Sequence, residues 1–370
     1  MAFQAVCRKF VEEQVTPLVA EAEEKQRFPT SLWRRMGDAG LLGLGFPEEV
    51  GGAGGDLLSV AILSEELAKA SGGIAITPLV SSYMAAPHLY RFGRPDQMRE
   101  YLAPVLTGHK VAAIAVTEPD AGSDVAGITL RATPEGDGYL LRGTKLFITN
   151  GGIADIIVVA AKTAGGDGHH SITTFIVEAG QPGFSVGRPL RKMGWHSSDT
   201  RELIFDDCFV GANRVLGEVN RGFYQIMQAF QEERVVLAAM GVGLAEACIE
   251  ASVAYARHRK AFGRPISSLQ AIRHSLAHMR TQTEAARLLV YQAAVLADAG
   301  ADAAQATAMA KLFAAQVAND VADRSVQVFG GAGFLEESPV AMHYRDARVL
   351  RIGGGTDEIQ LEILAKLMNL

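Results

Sequence analysis

Three long alanine-rich runs, residues 222–257, 267–298 and 301–329, constrain this chain more than any other feature. Alanine is the best helix former, and none of the runs contains proline, so each predicts a long helix. Such helices bury their apolar faces on one another, and the region from about residue 217 onward therefore predicts a helix bundle. Upstream the pattern changes. Val111–Val116, Tyr139–Thr149, Ile156–Val159, Ile172–Val177 and Glu202–Phe205 are short β-like runs separated by turn signals such as Glu135–Gly138. Several strands without helices between them predict an antiparallel barrel or sandwich. The first stretch returns to helical spacing, with Phe3, Cys7, Phe10 and Leu18 near one face,. Pro17, Pro29, Pro47, Pro78 and Pro104 cut it into short helices, and the glycine-rich Gly51–Gly55 segment reads as a loop,. The expected fold is α+β but mostly helical, in three domains: 1–110 helical, 111–216 a β-barrel or sandwich, and 217–370 a helix bundle. The strand–helix alternation of a parallel dinucleotide fold is absent.

The 370 residues carry 35 Lys and Arg against 41 Asp and Glu, a net charge of −6. A general nucleic-acid binder needs a basic face to displace counterions, so no nucleic-acid partner is expected. A local basic pocket for a small phosphorylated ligand stays compatible with this balance. Cys7, Cys208 and Cys248 are few and far apart, which points to reduced thiols and a cytoplasmic location,. The most apolar run, Val235–Ile249, is broken by Glu246 and rich in Ala and Gly, so it reads as a buried helix and no membrane span is expected,. The N-terminus reaches Arg8-Lys9 and Glu12-Glu13 too soon for a signal sequence and reads as an amphipathic helix,.

Some motifs tempt and fail. Gly183–Gly187 (GFSVG) has the spacing of a nucleophile elbow around Ser185, which needs a helix directly after it,. Arg188-Pro189 follows instead, so a short strand after a turn is expected. Gly138–Lys145 approaches a phosphate loop, but Thr144-Lys145 reverses the required order and the segment reads as a hairpin,. His169-His170 lies in a glycine-rich turn without a further ligand at metal spacing, so no metal site is expected,.

Other stretches hold together. They are Val116–Asp124 (VTEPDAGSD), Phe147–Gly151 (FITNG), Arg257–Gly263 (RHRKAFG) with Gln270 seven residues on, Gln327–Gly333 (QVFGGAG) and Ile352–Ile359 (IGGGTDEI). In this order and spacing they resemble the acyl-CoA dehydrogenase family over nearly the whole chain. The resemblance implies a helical domain, a β domain and a C-terminal four-helix bundle, FAD bound without a Rossmann fold, and a homotetramer. It implies removal of an α proton from an acyl-CoA thioester and transfer of a β hydride to flavin N5, with electrons passed on to an electron-transfer flavoprotein.

That chemistry needs a carboxylate base in a dry pocket and donors on the thioester oxygen. Many family members place the base just before the Gly-Thr of the C-terminal motif, where this chain has Gly354. In the long-chain and isovaleryl-type branches the base comes instead from the first bundle helix, immediately before an Arg. Glu233 of Gln231-Glu232-Glu233-Arg234 matches that position. At 3.6 residues per turn, Phe223, Met227, Phe230, Leu237 and Leu244 form one stripe, which Glu233 shares while Glu232 turns away from it,. An acid on an apolar stripe is either a base or half of a buried ion pair, and Arg234 is the available partner.

The remaining roles are implied by the resemblance. The Gly354 amide would hold the thioester oxygen. With Gly353, it would also leave volume beside the acyl chain for a bulky, branched or longer group. Val116 and Thr117 would meet the flavin ring, Thr149 would hydrogen-bond near N5, and Phe147 stands where most members have Trp. Ser123 would sit where FAD and the CoA arm approach each other, Phe230 would line the substrate, and Arg234 would orient the base or the CoA arm. Arg259, Phe262 and Gln270 would reach the pyrophosphate and adenosine of FAD from a neighbouring subunit, with Gln327, Gly330 and Gly331 flanking the adenine. Thr356 and Glu358 would complete the cofactor site, Glu358 standing where Gln is common. Three alternatives stay open at this point: the same fold acting on carrier-protein-bound acyl groups or as an oxidase, a catalytically silent scaffold, and a serine thioesterase using Ser185.

Overall fold

The computed structural model describes residues 2–163 and 168–370. The chain begins with helices α1 (Ala2–Phe10), α2 (Val19–Lys25), α3 (Ser31–Asp38), α4 (Leu57–Ala70), α5 (Gly72–Val80), α6 (Ala86–Phe92), α7 (Pro95–Gln97) and α8 (Ala103–Leu106). Asp56 and Ser71 start α4 and α5 by accepting hydrogen bonds from the backbone N–H groups of Ser59 and Ile74,.

The strands follow: β1 (Ala112–Ala115), β2 (Arg131–Glu135), β3 (Gly138–Thr149), β4 (Ile156–Thr163), β5 (Ile172–Glu178), β6 (Phe184–Val186), β7 (Thr200–Gly211) and β8 (Val215–Leu216). Their order is β6-β7-β3-β2-β4-β5-β8, with β1 also on β4. The expectation of a purely antiparallel sheet needs correction, because β1 and β2 both run parallel to β4. They share one edge of it, β1 along Ile156–Val159 and β2 at Lys162–Thr163. The connection between them, residues 116–130, is long enough for a parallel crossover and is pushed out of the sheet as a loop. It carries the VTEPDAGSD motif. The leaf containing β3 and β7 packs on the leaf containing β4 and β5 through Leu141, Leu203 and Phe205 against Ile157, Val159 and Phe175.

The bundle consists of α9 (Gly222–His258), α10 (Gln270–Asp298), α11 (Ala304–Phe329) and α12 (Pro339–Arg348), followed by α13 (Asp357–Leu367). Helix α9 lies at its centre and packs on α10, α11 and α4. A Cβ at Gly243 would stand 2.1 Å from the Glu65 carbonyl oxygen, so α9 meets α4 backbone to backbone only because residue 243 is glycine,. Arg287 then bridges Glu65 of α4 and Glu246 of α9 at 3.0 and 2.9 Å. Helix α9 is apolar and long enough to cross a membrane, but 83% of its most apolar window is buried inside the protein.

Candidate active site

The N-terminal half of α9 presents the predicted stripe to the β domain. Phe223, Met227 and Phe230 pack on Val116, Ala121, Ile128 and Ile172, while Leu237 and Leu244 are buried further along. Glu233 sits on this face. Its carboxyl is pushed up to about 7, because burial penalises the charge more than Arg234 and Lys311 relieve it,. Arg234 acts on it through charge alone. Its own guanidinium is pushed down by burial, and its Nε is buried without a hydrogen-bond partner. The buried ion pair that the sequence left open is therefore not formed. Glu232, off the stripe as expected, accepts a hydrogen bond from Arg91 of α6.

The turn before α13 comes to meet Glu233. Gly354 and Gly355 have φ of +65° and +90°, a left-handed backbone that favours glycine,. A Cβ on Gly354 would lie 3.6 Å from Glu233 Oε1. The carboxyl on α9 thus ends beside the point where a side chain at 354 would begin. The Gly354 N–H has no hydrogen-bond acceptor among the described residues. The same Cβ would stand 2.4 Å from Leu237 Cδ1. Leu237 and Glu233 therefore occupy much of the volume that the sequence assigned to a larger acyl group. Thr356 caps α13 by accepting from the Ile359 N–H at 3.3 Å. Glu358 is exposed in the first turn of α13, its carboxyl held below the usual range by its own backbone N–H and the Thr356 hydroxyl.

Opposite α9, the crossover loop and β3 are fastened by a buried pair that the sequence did not reveal. Lys145 donates to Glu118 Oε1 at 2.8 Å and to the Val116 carbonyl at 2.8 Å. Glu118 also accepts from Thr129 Oγ1 and the Leu130 N–H, at 2.8 and 2.9 Å. Burial opposes ionisation of Glu118, but Lys145 and the amide donors overcome it and hold the carboxyl below its usual range. Val116 and Thr117 are thereby locked beside β3, with the Leu146 N–H donating to the Thr117 carbonyl at 2.9 Å. The register between β3 and β7 slips between Lys145 and Ile148, and Phe147 stands at that bulge,. It has a φ of +61° and is 63% exposed. A large aromatic held out on strained backbone, next to the half-buried Thr117 and Thr149, offers a flat face to a planar ring and fits the implied flavin,. Ser123 is exposed on the crossover loop.

The residues expected at the adenosine end are grouped elsewhere. Tyr255 of α9 stacks on Phe329 of α11 with ring centroids 4.2 Å apart, and its hydroxyl donates to the Phe329 carbonyl at 3.2 Å. This joins the end of α9, with Arg259 and Phe262 beyond it, to Gln327, Gly330 and Gly331. Arg259, Gln270, Gln327, Gly330 and Gly331 are exposed, and Phe262 is 91% exposed with a φ of +52°. From Glu233 to His258 there are 25 residues of one continuous helix, about 37 Å at 1.5 Å per residue,. The two groups therefore lie far apart along one chain.

The rejected motifs are accounted for. Ser185 lies on β6 opposite Ile204, with no helix after it, which removes the nucleophile elbow. Gly138–Lys145 forms the start of β3, hairpinned to β2. His169 packs against Phe223 with ring centroids 4.1 Å apart, and no cluster of metal ligands occurs among the described residues.

Sequence profiles of the acyl-CoA dehydrogenase N-terminal, middle and C-terminal domains match residues 1–109, 113–208 and 220–368. The chain is 41% identical to the short-chain-specific acyl-CoA dehydrogenase of Megasphaera elsdenii, over 98% of this chain and 95% of that protein. It is 40% identical to the mitochondrial isovaleryl-CoA dehydrogenase of Oryza sativa subsp. japonica, over 98% and 90%. The solved butyryl-CoA dehydrogenase from Megasphaera elsdenii superposes with a TM-score of 0.97 at 40% identity, covering 100% of this chain and 97% of that one. The chain belongs to the acyl-CoA dehydrogenase family of FAD-dependent oxidoreductases.

Proposed function

We propose that this protein carries out α,β-dehydrogenation of a short-chain acyl-CoA thioester, with a branched chain preferred, and that Glu233 is its base. The observation that carries this reading is the 3.6 Å between Glu233 Oε1 and the Cβ position of residue 354. The acid on α9 reaches the place that a C-terminal acid would otherwise fill. Its carboxyl, pushed up to about 7, is a strong enough acceptor for an α proton yet substantially ionised at neutral pH,. The free Gly354 N–H would donate to the thioester oxygen and stabilise charge as the proton leaves. Phe230 and Leu237 would line the acyl chain beside Glu233, with Gly353 in the turn opposite. FAD, when bound, supplies the acceptor for the β hydrogen and its electron pair.

The chain length rests on two supports. Leu237 fills much of the space released at Gly354. The relatives described above also carry short-chain, butyryl and isovaleryl names. The sequence expectation of a bulky or longer group is narrowed accordingly, and its branched option is retained because the placement of Glu233 is that of the isovaleryl-type branch.

Val116, Thr117, Phe147 and Thr149 would hold the isoalloxazine, and Ser123 the junction of FAD with the CoA arm. Arg259, Phe262, Gln270, Gln327, Gly330 and Gly331 would hold the adenosine half of a neighbouring subunit's FAD, which the 37 Å separation supports. This implies an assembly of at least two chains, and the family resemblance extends it to a tetramer. An electron-transfer flavoprotein would reoxidise the flavin. The free and buried Cys7, Cys208 and Cys248 support a reducing, cytoplasmic setting,.

The test is anaerobic flavin bleaching by butyryl-, isovaleryl-, 2-methylbutyryl-, octanoyl- and palmitoyl-CoA. We expect kcat/KM to be highest on the branched five-carbon chains and next highest on butyryl-CoA, and a maximum on butyryl-CoA would overturn the branched preference. A maximum at octanoyl- or palmitoyl-CoA would overturn the substrate assignment, and no bleaching with any thioester would overturn the activity.

A further inference from the structure

Lys311 lies in the first third of α11, is only 1% exposed, and has no carboxylate within ion-pair distance among the described residues. Burying an ammonium without a paired anion is costly, and a methionine would fill the same space without that cost. Its ammonium donates to one acceptor, the Gly355 carbonyl oxygen. That carbonyl belongs to the turn that brings Gly354 to Glu233. Among the described residues the Gly354 and Gly355 carbonyls have one further side-chain donor, Gln360, whose Nε2 donates to them at 3.3 and 3.1 Å.

We propose that Lys311 is a positioning residue for the dehydrogenation: it pins the Gly353–Thr356 turn against α9, so that the free Gly354 N–H and the Glu233 carboxyl face the same thioester. This inference rests on Glu233 being the base.

The ammonium has a second effect, through charge. The charged groups around Glu233 are Arg234 on its own helix and Lys311 on α11, and both favour the carboxylate. Asp357 and Glu358 on α13 act on Lys311, and Asp357 is tied to Arg351 at 2.7 Å. Burial pushes the Lys311 amine down to about 8, and Arg234 pushes it the same way, while Asp357, Glu233 and Glu358 hold it up. At neutral pH it stays mostly charged, and it lowers the proton affinity of Glu233 together with Arg234.

Two variants separate the two effects. Lys311→Met removes both the hydrogen bond and the charge. Lys311→Gln keeps a donor toward the Gly355 carbonyl and removes the charge. The measurements are kcat and KM for butyryl-CoA across pH and the Glu233 protonation midpoint. The midpoint is read from the infrared band of its protonated carboxyl, identified by its loss in Glu233→Gln holoenzyme. In both variants we expect that midpoint and the pH profile of flavin reduction to move up together by about one unit. In Lys311→Met alone we expect a further loss of about tenfold in kcat at the pH plateau, since the turn has lost its pin.

A Lys311→Gln protein with the wild-type infrared midpoint would overturn the electrostatic role. A Lys311→Met protein, or a Lys311→Leu protein if the former does not fold, with wild-type plateau kcat would overturn the positioning role. If Glu233→Gln itself bleaches at the wild-type rate, the base reading fails and this inference falls with it. An inactive Glu233→Gln beside unperturbed Lys311 variants refutes only the role of Lys311.

Discussion

Replacing Glu233 by Gln should separate catalysis from stability in opposite directions. The amide keeps the size of the side chain but cannot accept a proton. A positioned general base contributes roughly 10²–10⁴ in rate, so anaerobic bleaching by butyryl- or isovaleryl-CoA should slow by at least about a hundredfold. In the wild type the active form is the carboxylate, so the rate should rise with pH and level off above a midpoint near about 7. One unit below that midpoint about a tenth of the carboxyl is ionised, and two units below about a hundredth, so the rate should fall by those factors.

The stability consequence follows from the same shift. The folded carboxyl binds its proton more tightly than the unfolded one. The native state therefore holds the extra proton between the ordinary glutamate value and about 7. Stability falls as pH rises through that window and stays lowered above it. The Gln variant carries no such penalty, and at pH 8 it should melt above the wild type. Stopped-flow bleaching gives the first result and thermal unfolding at pH 5 and pH 8 gives the second. Glu232→Gln, which removes only the charge paired with Arg91, should bleach normally. If Glu233→Gln and Glu232→Gln both reduce flavin at the wild-type rate, Glu233 is not the base. If the Gln variant melts lower than the wild type at pH 8, the burial reasoning behind its raised carboxyl is wrong.

Gly354→Ala should cost about 1–2 kcal/mol from the left-handed backbone and push Leu237 aside, which thermal unfolding will show as a lowered Tm,. Isovaleryl-CoA turnover should fall more than butyryl-CoA turnover, and an unchanged ratio would count against a crowded acyl site. Lys145→Met leaves Glu118 buried without its cation and should destabilise by about 3–5 kcal/mol,. Purified protein should also lose flavin on dialysis if Val116 and Thr117, which that pair holds, contact the flavin as proposed; full flavin retention would count against that role.

Periodicity revealed the long elements because they bury one face over many turns. The runs predicted at 222–257, 267–298 and 301–329 correspond to α9, α10 and α11, and the apolar stripe on α9 set Glu233 apart from Glu232 before any contact was known. The short strand expected after the turn at Gly183 is β6, but β2 and β8 escaped notice, since a strand of two to five residues carries few alternations to register,. The parallel run of β1 and β2 along β4 escaped for a different reason, because pairing direction leaves no mark in local composition. Partners escaped most completely. Glu118 meets Lys145 across 27 positions and Arg91 meets Glu232 across 141, and neither spacing has a period. Lys311 was the least visible of all, a single cation inside an alanine-rich helix, its acceptor lying 44 positions away in the turn before α13. Phe147 was identified by its place in FITNG, but its outward pose depends on a β-bulge that only the pairing with β7 creates.

Helix α9 is one unbroken rod, with the proposed proton acceptor near its beginning and the proposed adenosine grip just past its end. On these assignments, no polypeptide owns a complete reaction centre, and every centre is jointly built. Oligomers assembled from two differently crippled polypeptides, one lacking Glu233 and the other lacking Arg259, would contain some centres with both defects and some with neither. Activity lost in each parent preparation would then reappear on mixing and reassembly, a genetic signature that a self-contained monomeric enzyme cannot give.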